Sequence, residues 1–301
     1  MKRAIIYITI FLASIQAANA DTTKTTLTLP LGDASVRVNV YEKAGADLTF
    51  FAPHHNEQIA RTLALEAIER RGGRLVEIES YDEKGNPMRF LKFTLNGKTY
   101  SIDPNRVYTD NGRTCNTAAE TIDAVKIFAD ALLKILFAPG GKTLRENERF
   151  IVAVHNNTNV DAKAGSAKPN DLSAVAFIKN TNSMILSDGA FEEQADGVFL
   201  SNTETDADNF VFLSTPAAIG YFAERGFNVV VQKPSAKLQS KQCTVDDGSM
   251  SVYSSFNQIP YICLEADAAT GMFRQRQMLE AVYALLPEQK PLDRTAVAAR
   301  Q

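Results

Sequence analysis

The residues best suited to chemistry are histidines close to carboxylates. Among the 301 residues, His54 and His55 lie in the segment Pro-His-His-Asn-Glu, and His155 begins the segment His-Asn-Asn-Thr. A catalytic zinc ion takes three protein ligands and leaves one position open for water. His54 and Glu57, three positions apart between a predicted strand and a predicted helix, can reach one ion, and His155 at another strand end can supply the third ligand. The pattern therefore predicts a zinc site.

A hydrolase with such a site also needs a carboxylate that accepts a proton from water. Zinc would lower the pKa of its water toward about 7 and polarise a scissile carbonyl. Glu265 follows the apolar run Tyr261–Leu264, and we take it as the candidate general base, which would pass the proton to the leaving nitrogen. Alternatively, Glu265 is the acidic start of the last helix, where the helix dipole favours a negative charge.

Hydrophobic periodicity and turn residues predict the elements that position these residues. Strands are expected at 25–31, 34–41, 48–52, 74–78, 88–95, 98–102, 150–154, 174–178, 197–200, 210–213, 228–231 and 261–264. Helices are expected at 57–71, 117–137, 216–225 and 272–286, the second of them capped by Asn116 or Thr117. This order predicts a single α/β domain over residues 21–301, with a mixed, mostly parallel twisted sheet flanked by helices. Functional residues of such sheets gather at the carboxyl ends of strands, where His54, His155 and Glu265 all fall.

Four elements in order resemble the zinc carboxypeptidase superfamily, which includes carboxypeptidase A-like enzymes and the succinylglutamate desuccinylase/aspartoacylase branch. They are His-x-Asn-Glu at 54–57, Asp-Pro-Asn-Arg at 103–106, His-Asn-Asn-Thr at 155–158 and Leu-Glu at 264–265. The first and third look closer to the deacylase branch, and the last looks closer to the peptidase branch. The resemblance spans most of the chain and implies that fold and a Zn²⁺ cofactor.

By position, the resemblance makes His54, Glu57 and His155 the zinc ligands and Glu265 the base. Further roles follow for four residues that would contact the substrate. Asn105 and Arg106 match the pair that holds the substrate carboxylate, a task suited to the planar fork of arginine. Arg89 matches the arginine that stabilises the oxyanion, and Tyr253 is available as the tyrosine on a mobile loop before the base.

Ordinary structural interpretations remain open for several of these residues. His55 is expected to line the cleft without contacting metal. Asp-Pro-Asn-Arg also makes an ordinary turn after a strand. Arg89 alternates with Phe90 in a predicted hairpin, so it is also consistent with a strand residue that faces solvent.

The beginning of the chain and its cysteines indicate an exported protein. Lys2 and Arg3, the apolar run 4–13 and the end Ala-Asn-Ala at 18–20 are typical of a signal peptide cleaved before Asp21. We expect a periplasmic location, with secretion as the second choice and no membrane insertion after cleavage. Three cysteines allow one disulfide; Cys115 and Cys243 are the expected pair, and Cys263 is the expected buried free thiol. A net charge of −3 without a basic run argues against a nucleic-acid partner.

The expected function is hydrolysis, by an exported zinc-dependent enzyme, of an amide bond next to a free carboxylate, with short or cell-wall peptides as a possible substrate class. An N-acyl-amino-acid deacylase is the enzymatic alternative. A periplasmic binding protein that keeps the fold without turnover is an alternative from another class, and a purely structural surface protein without metal is a third. His/Glu sites accept several metals, so the sequence leaves an ion other than zinc open.

Overall fold

The structure is a computed structural model. It describes residues 21–137, 151–157, 173–178, 194–204, 206–214, 218–233, 243 and 245–286. The predicted signal peptide, residues 1–20, lies outside the described residues. Among the helices that are described, none is long and apolar enough to cross a membrane.

Eleven strands are described. They are β1 Thr23–Leu31, β2 Ala34–Lys43, β3 Thr49–Ala52, β4 Gly73–Ile78, β5 Leu91–Leu95, β6 Lys98–Ile102, β7 Ile151–Asn157, β8 Ala195–Phe199, β9 Phe210–Leu213, β10 Asn228–Gln232 and β11 Tyr261–Asp267. The described helices are α1 Gln58–Arg71, α2 Asp110–Asn116, α3 Ile122–Phe137, α4 Ile219–Ala223, α5 Met250–Phe256 and α6 Met272–Leu285. Short 3-10 helices span Ala119–Thr121 and Ala174–Phe177.

Nine strands form one mixed sheet in the order β1-β2-β4-β3-β7-β11-β9-β10-β8, and β5 pairs with β6 in a separate hairpin. At the centre, β3, β7 and β11 are consecutive and parallel. These strands and β9 are almost entirely buried, as expected for strands covered on both faces.

The sheet separates two hydrophobic cores. On one face, α1 and α6 pack through residues such as Leu63, Ile68 and Leu279. On the other face, α3 and the β5–β6 hairpin pack through residues such as Phe128 and Phe93. The protein is therefore an α/β domain with a large mixed sheet between two layers, as the element order predicted.

The prediction of a mostly parallel sheet is wrong. Four of the eight neighbouring strand pairs are parallel and four are antiparallel. The antiparallel pairs include β2 with β4 and β11 with β9. Strand direction depends on which strands become neighbours, and a residue pattern along one strand does not contain that information.

Some element boundaries also differ from the prediction. The long helix begins at Ile122 rather than Thr117, because the Thr117 amide and hydroxyl both donate to the Arg113 carbonyl and end α2 instead. The stretch predicted as a strand at 174–178 is the 3-10 helix Ala174–Phe177. Such a short apolar run fits either structure by periodicity alone. Of the helix predicted at 216–225, residues 216–217 lie outside the described part.

Candidate metal centre

The three central strands bring the candidate ligands and the candidate base together. His54 follows β3 within two residues, whereas His155 lies inside β7 and Glu265 inside β11. Both strands continue further than the sequence predicted, and His155 and Glu265 face each other as register partners. Glu265 is therefore part of a strand and not the start of the last helix.

Glu57 lies between the two histidines. One of its oxygens, Oε1, is 2.7 Å from His54 Nδ1, and the other, Oε2, is 2.8 Å from His155 Nδ1. Ligand atoms of His54, Glu57 and His155 all lie within 4.8 Å of one another, and all three side chains are buried. Both Nδ1 atoms and the carboxylate thus converge on one point.

The backbone around Glu57 is fixed by neighbouring polar groups. Glu57 N donates to His54 O in a turn just before α1. Asn156 Oδ1 accepts from Ala60 N in the first turn of α1, and Asn156 N donates to Glu57 Oε2 at 3.3 Å. The residue after His155 therefore connects β7 to the start of α1, so the ligands from two elements keep one geometry.

The electrostatics of the cluster favour the ionised form of the Glu57 side chain. Burial acts to raise the pKa of Glu57, but the adjacent His54 and His155 outweigh it and hold the pKa far below its ordinary value. Burial also acts to lower the pKa of His54, yet Glu57 and Asp103 offset this and leave that pKa raised.

Asp103, which the sequence analysis named only as part of a motif, contacts one of the candidate ligands. Its Oδ1 is 2.8 Å from His54 Nε2, so the ring nitrogen opposite Glu57 also has a carboxylate partner. Metal-binding histidines commonly have such a partner, which fixes the ring orientation and raises the basicity of the ligand. Its position two residues before Asn105 was the signal that could have identified it.

Arg89 lies within this cluster. Its Nη1 donates to Glu57 Oε1 at 3.1 Å, and its Nε donates to Asp103 Oδ2 at 3.1 Å. The residue precedes β5, so the expectation of a strand residue facing solvent is wrong. The Arg89 side chain is 37% exposed and therefore lies between the buried carboxylates and solvent.

The donor set fits a zinc ion. Two imidazole nitrogens and a carboxylate oxygen are the ligand types of catalytic zinc sites, with one position left for water. The Asp103–His54 contact supplies the outer partner that such sites have. His54, Glu57 and His155 are the residues of this set that could hold the ion.

Glu265 has the environment of a proton acceptor. The side chain is 4% exposed, Oε1 accepts a hydrogen bond from the Cys263 thiol, and Oε2 has no hydrogen-bond partner among the described residues. Burial raises the pKa of Glu265, and the neighbouring His155 partly counteracts it. A ligand atom of His155 lies within 4.8 Å of Glu265, so the carboxyl group adjoins the cluster.

Asn105 and Arg106 lie in the turn that follows Asp103. Asn105 N donates to Asp103 Oδ1, and Asn105 Oδ1 accepts from Met250 N, which fixes the side-chain amide. Arg106 Nε is 3.4 Å from Asp247 Oδ2, and its side chain is 27% exposed. The pair therefore shares one turn with Asp103, the partner of His54.

Tyr253 lies on the helix α5 rather than on a loop. Its ring packs on those of Tyr108 and Phe137 at centroid distances of 6.3 and 5.9 Å. Its amide donates to Ser249 O, and its carbonyl accepts from Asn257 Nδ2.

Tyr108 is a second residue missed by the sequence analysis. Its ring is 4% exposed, and its hydroxyl has no hydrogen-bond partner in the described part of the chain. It lies two residues after Arg106 and packs on Phe51 of β3. A position close behind the Asp-Pro-Asn-Arg segment was its only signal in the sequence.

His55 takes part in a different buried network. Its Nδ1 is 2.9 Å from Ser80 O, and its Nε2 is 3.2 Å from Glu77 Oε1. Glu77 in turn pairs with Arg61 of α1. His55 is thus engaged with β4 and the segment after it, and it is not part of the three-residue ligand cluster.

The cysteines pair as predicted. Cys115, in α2, and Cys243 form a disulfide, and Cys263 is a buried free thiol. The disulfide joins α2 to the segment before α5, which contains Asp247, the partner of Arg106.

Comparisons with known proteins leave the family open. No protein-family model matches the chain, and no curated protein matches it. One similar solved structure is the crystal structure of E-2-(acetamidomethylene)succinate hydrolase, which is 12% identical over 87% of this chain and 98% of the other, with a TM-score of 0.24. A similarity at that TM-score bears on neither the fold nor the activity.

Proposed function

We propose that this protein is a zinc-dependent amidohydrolase that cleaves an amide bond next to a free carboxylate. One observation carries the proposal. His54 Nδ1 and His155 Nδ1 meet at the two oxygens of Glu57, and the buried carboxyl of Glu265 is the register partner of His155. This arrangement supplies a three-ligand site and a proton acceptor beside it.

Each residue of the cluster has a separate proposed role. His54, Glu57 and His155 would hold the ion, and Asp103 would orient His54 through Nε2. Zinc in such a site acts as a Lewis acid that polarises a carbonyl and lowers the pKa of water. Arg89, bonded to Glu57 and Asp103, adds a positive charge where an oxyanion would develop.

Glu265 would move the proton. Its Oε2, free of hydrogen bonds within the described residues, accepts a proton from the attacking water. The raised pKa that burial produces then lets the carboxyl group keep the proton until it protonates the leaving nitrogen. Both transfers use one carboxyl group in a fixed place.

Arg106 and Asn105 would select the substrate by its free carboxylate. Arginine offers two parallel hydrogen bonds to a carboxylate. Among the described residues, Arg106 forms one ion pair, with Asp247 at 3.4 Å. A substrate carboxylate would compete with Asp247 for the guanidinium. Short peptides of an exported compartment are the substrate class we propose, with Arg106 as the determinant of the free carboxylate.

A second candidate is an N-acyl-amino-acid deacylase. The His-x-Asn-Glu form of the first segment favours it, and Asn156 in the His-Asn-Asn-Thr segment contacts Glu57 directly. Comparison of peptides of different length with N-acyl amino acids as substrates separates the two activities, because a deacylase loses activity when the acyl group becomes a peptide.

The zinc site is tested with a pair of matched buried substitutions. Glu57→Gln removes the bridging ligand, whereas Glu77→Gln alters another buried carboxylate that binds His55 and Arg61. Elemental mass spectrometry of the purified protein should find about one zinc per chain in the wild type and in Glu77→Gln, and none in Glu57→Gln. A wild type that takes up no zinc when it is supplied would overturn the proposal.

The activity is tested with one peptide in two forms, with a C-terminal carboxylate and with a C-terminal amide. We expect hydrolysis of the carboxylate form alone, and Glu265→Gln should abolish it while zinc content is retained. A binding protein without turnover predicts instead that wild type and Glu265→Gln bind peptide equally and that neither hydrolyses it.

A further inference from the structure

Three polar side chains line one face of β11. Tyr261, Cys263 and Glu265 alternate with Ile262 and Leu264, whose side chains belong to the core on the opposite face of the sheet. All three polar side chains are at most 6% exposed. Their register partners on β7 are Ile151, Ala153 and His155. A buried polar row therefore leads along the strand to the candidate base.

A hydrogen bond joins two members of this row. Cys263 Sγ donates to Glu265 Oε1 at 3.4 Å, a normal distance for a sulfur donor. Tyr261 lies two residues before Cys263 on the same face of the strand.

The thiol is a donor in this setting rather than a nucleophile. Burial, and next the charge of Glu265, raise the pKa of Cys263 well above its ordinary value. The proton therefore stays on sulfur. A protonated thiol beside a carboxylate can only donate to it.

The two oxygens of Glu265 are thereby made unequal. Oε1 accepts the thiol hydrogen bond, and Oε2 is buried with no partner in the described residues. A buried carboxylate oxygen without a partner costs free energy, so a functional use for Oε2 would account for its retention. The single bond to Oε1 fixes rotation of the carboxylate and keeps Oε2 available.

We propose that Cys263 is a positioning residue, which holds the Glu265 carboxylate by its Oε1 so that Oε2 is directed to the proton of the attacking water. The proposal rests on the proposed function for its catalytic meaning. Cys263 itself touches neither the water nor the substrate in this account.

Infrared spectroscopy tests the hydrogen bond without any activity. The chain has three cysteines and two form the disulfide, so the S–H stretching band reports Cys263 alone. We expect this band at lower frequency in the wild type than in Glu265→Gln, because a charged acceptor makes the stronger hydrogen bond. The Cys263→Ser variant has no free thiol, so its spectrum gives the background to be subtracted. An S–H frequency that is the same in the wild type and in Glu265→Gln would overturn the proposal.

Kinetics of two substitutions test the positioning. Cys263→Ala removes the donor, and kcat should fall about tenfold, since a hydrogen bond to a charged group is lost, with KM and zinc content unchanged. Cys263→Ser keeps a donor of similar size and should restore most of kcat. Equal losses in both variants, accompanied by changes in KM or zinc, would mean that sulfur only fills space and would overturn the proposal.

The two proposals fail in different ways. A wild type without zinc or hydrolysis would overturn the proposed function, and the S–H band would still decide whether Cys263 holds Glu265. Conversely, full activity of Cys263→Ala would overturn the positioning role and leave the zinc hydrolase proposal intact.

Discussion

His54 is held by a carboxylate at each ring nitrogen. Glu57 Oε1 lies 2.7 Å from Nδ1, and Asp103 Oδ1 lies 2.8 Å from Nε2. Both carboxylates accept a hydrogen bond from Arg89, but Glu57 also contacts His155, whereas Asp103 also accepts from Asn105 N. The first contact belongs to the ligand cluster, and the second orients the ring.

Asp103→Asn should weaken zinc binding without removing a ligand. The amide cannot stabilise the imidazole as a carboxylate does, and loss of such an outer partner typically costs 10–100-fold in metal affinity. Competition with a chelator of known affinity measures the change. Asp130→Asn, at an exposed helix position paired with Lys126, serves as the control and should leave affinity unchanged. Equal zinc affinity in Asp103→Asn and the wild type would contradict this role.

Tyr108→Phe should stabilise the protein. The buried hydroxyl lacks a hydrogen-bond partner in the described part of the chain, and its removal should raise the free energy of unfolding by about 1 kcal/mol. The same substitution at Tyr283, whose hydroxyl donates to Gly72 O at 2.8 Å, should lower that free energy by a similar amount. Urea denaturation measures both, and a Tyr108→Phe variant less stable than the wild type would contradict the prediction.

At the scale of elements, the short helix α2 is clamped to the segment that precedes α5. Thr109 begins α2 by accepting from Gly112 N and donates its own hydroxyl proton to Asp246 at 2.6 Å. Tyr108 N donates to Gly248 O, and the disulfide from Cys115 adds a covalent link. This clamp sets the position of Asp247 against Arg106.

Gly112→Ala should disrupt the clamp. A Cβ at Gly112 would lie 2.0 Å from the Gly248 Cα, and backbone cannot give way cheaply, so we expect a loss of about 1–3 kcal/mol in unfolding free energy. Gly220→Ala in α4 is the control, since nothing lies within 4 Å of the added Cβ and alanine is the better helix former. Thermal and urea unfolding of the two variants should give opposite signs. Stability equal to the wild type in Gly112→Ala would contradict the close approach.

The sequence predicted the elements whose own residues determine them. The hairpin β1–β2 has alternating residues, the helix α1 ends just before Gly72, and the strand β4 is rich in apolar residues; all were predicted within two residues. The helix α2, Asp-Asn-Gly-Arg-Thr-Cys-Asn, has no apolar face and is held by contacts with Cys243 and Asp246, so periodicity could not reveal it. The direction of β9 against β11 likewise depends on partners distant in sequence.

The candidate site was predictable for the same physical reason. His54 follows β3, and His155 and Glu265 lie two residues before the ends of β7 and β11; the carboxyl ends of these parallel strands meet at one edge. The contacts of Arg89 with Glu57 and Asp103 depend on how the segment after β4 folds, and its spacing from Asn105 was the only sign of them. Apart from the position of Tyr108, nothing in the sequence indicated that its hydroxyl would lack a hydrogen-bond partner among the described residues.

At the scale of the whole molecule, the cluster joins distant parts of the chain across the centre of the sheet. Glu57, just before α1, and His155, inside β7, are 98 positions apart. The two cores lie on opposite faces of the same strands. An ion bound at this point therefore binds the folded chain and has no equivalent site in the unfolded chain.

Zinc should consequently stabilise the entire fold. Free zinc at a hundredfold excess over its Kd adds about 2.7 kcal/mol to the unfolding free energy, which corresponds to a rise in Tm of roughly 5 °C or more for a domain of this size. Glu57→Gln should unfold at one temperature with and without zinc. Glu77→Gln, which alters a buried carboxylate outside the cluster, should keep the zinc-dependent rise even where its basal Tm is lower. Differential scanning calorimetry with zinc or a chelator measures all three proteins. A Tm rise of the same size in Glu57→Gln and in the wild type would place zinc elsewhere in the chain, because the response must disappear with the ligand that bridges His54 and His155.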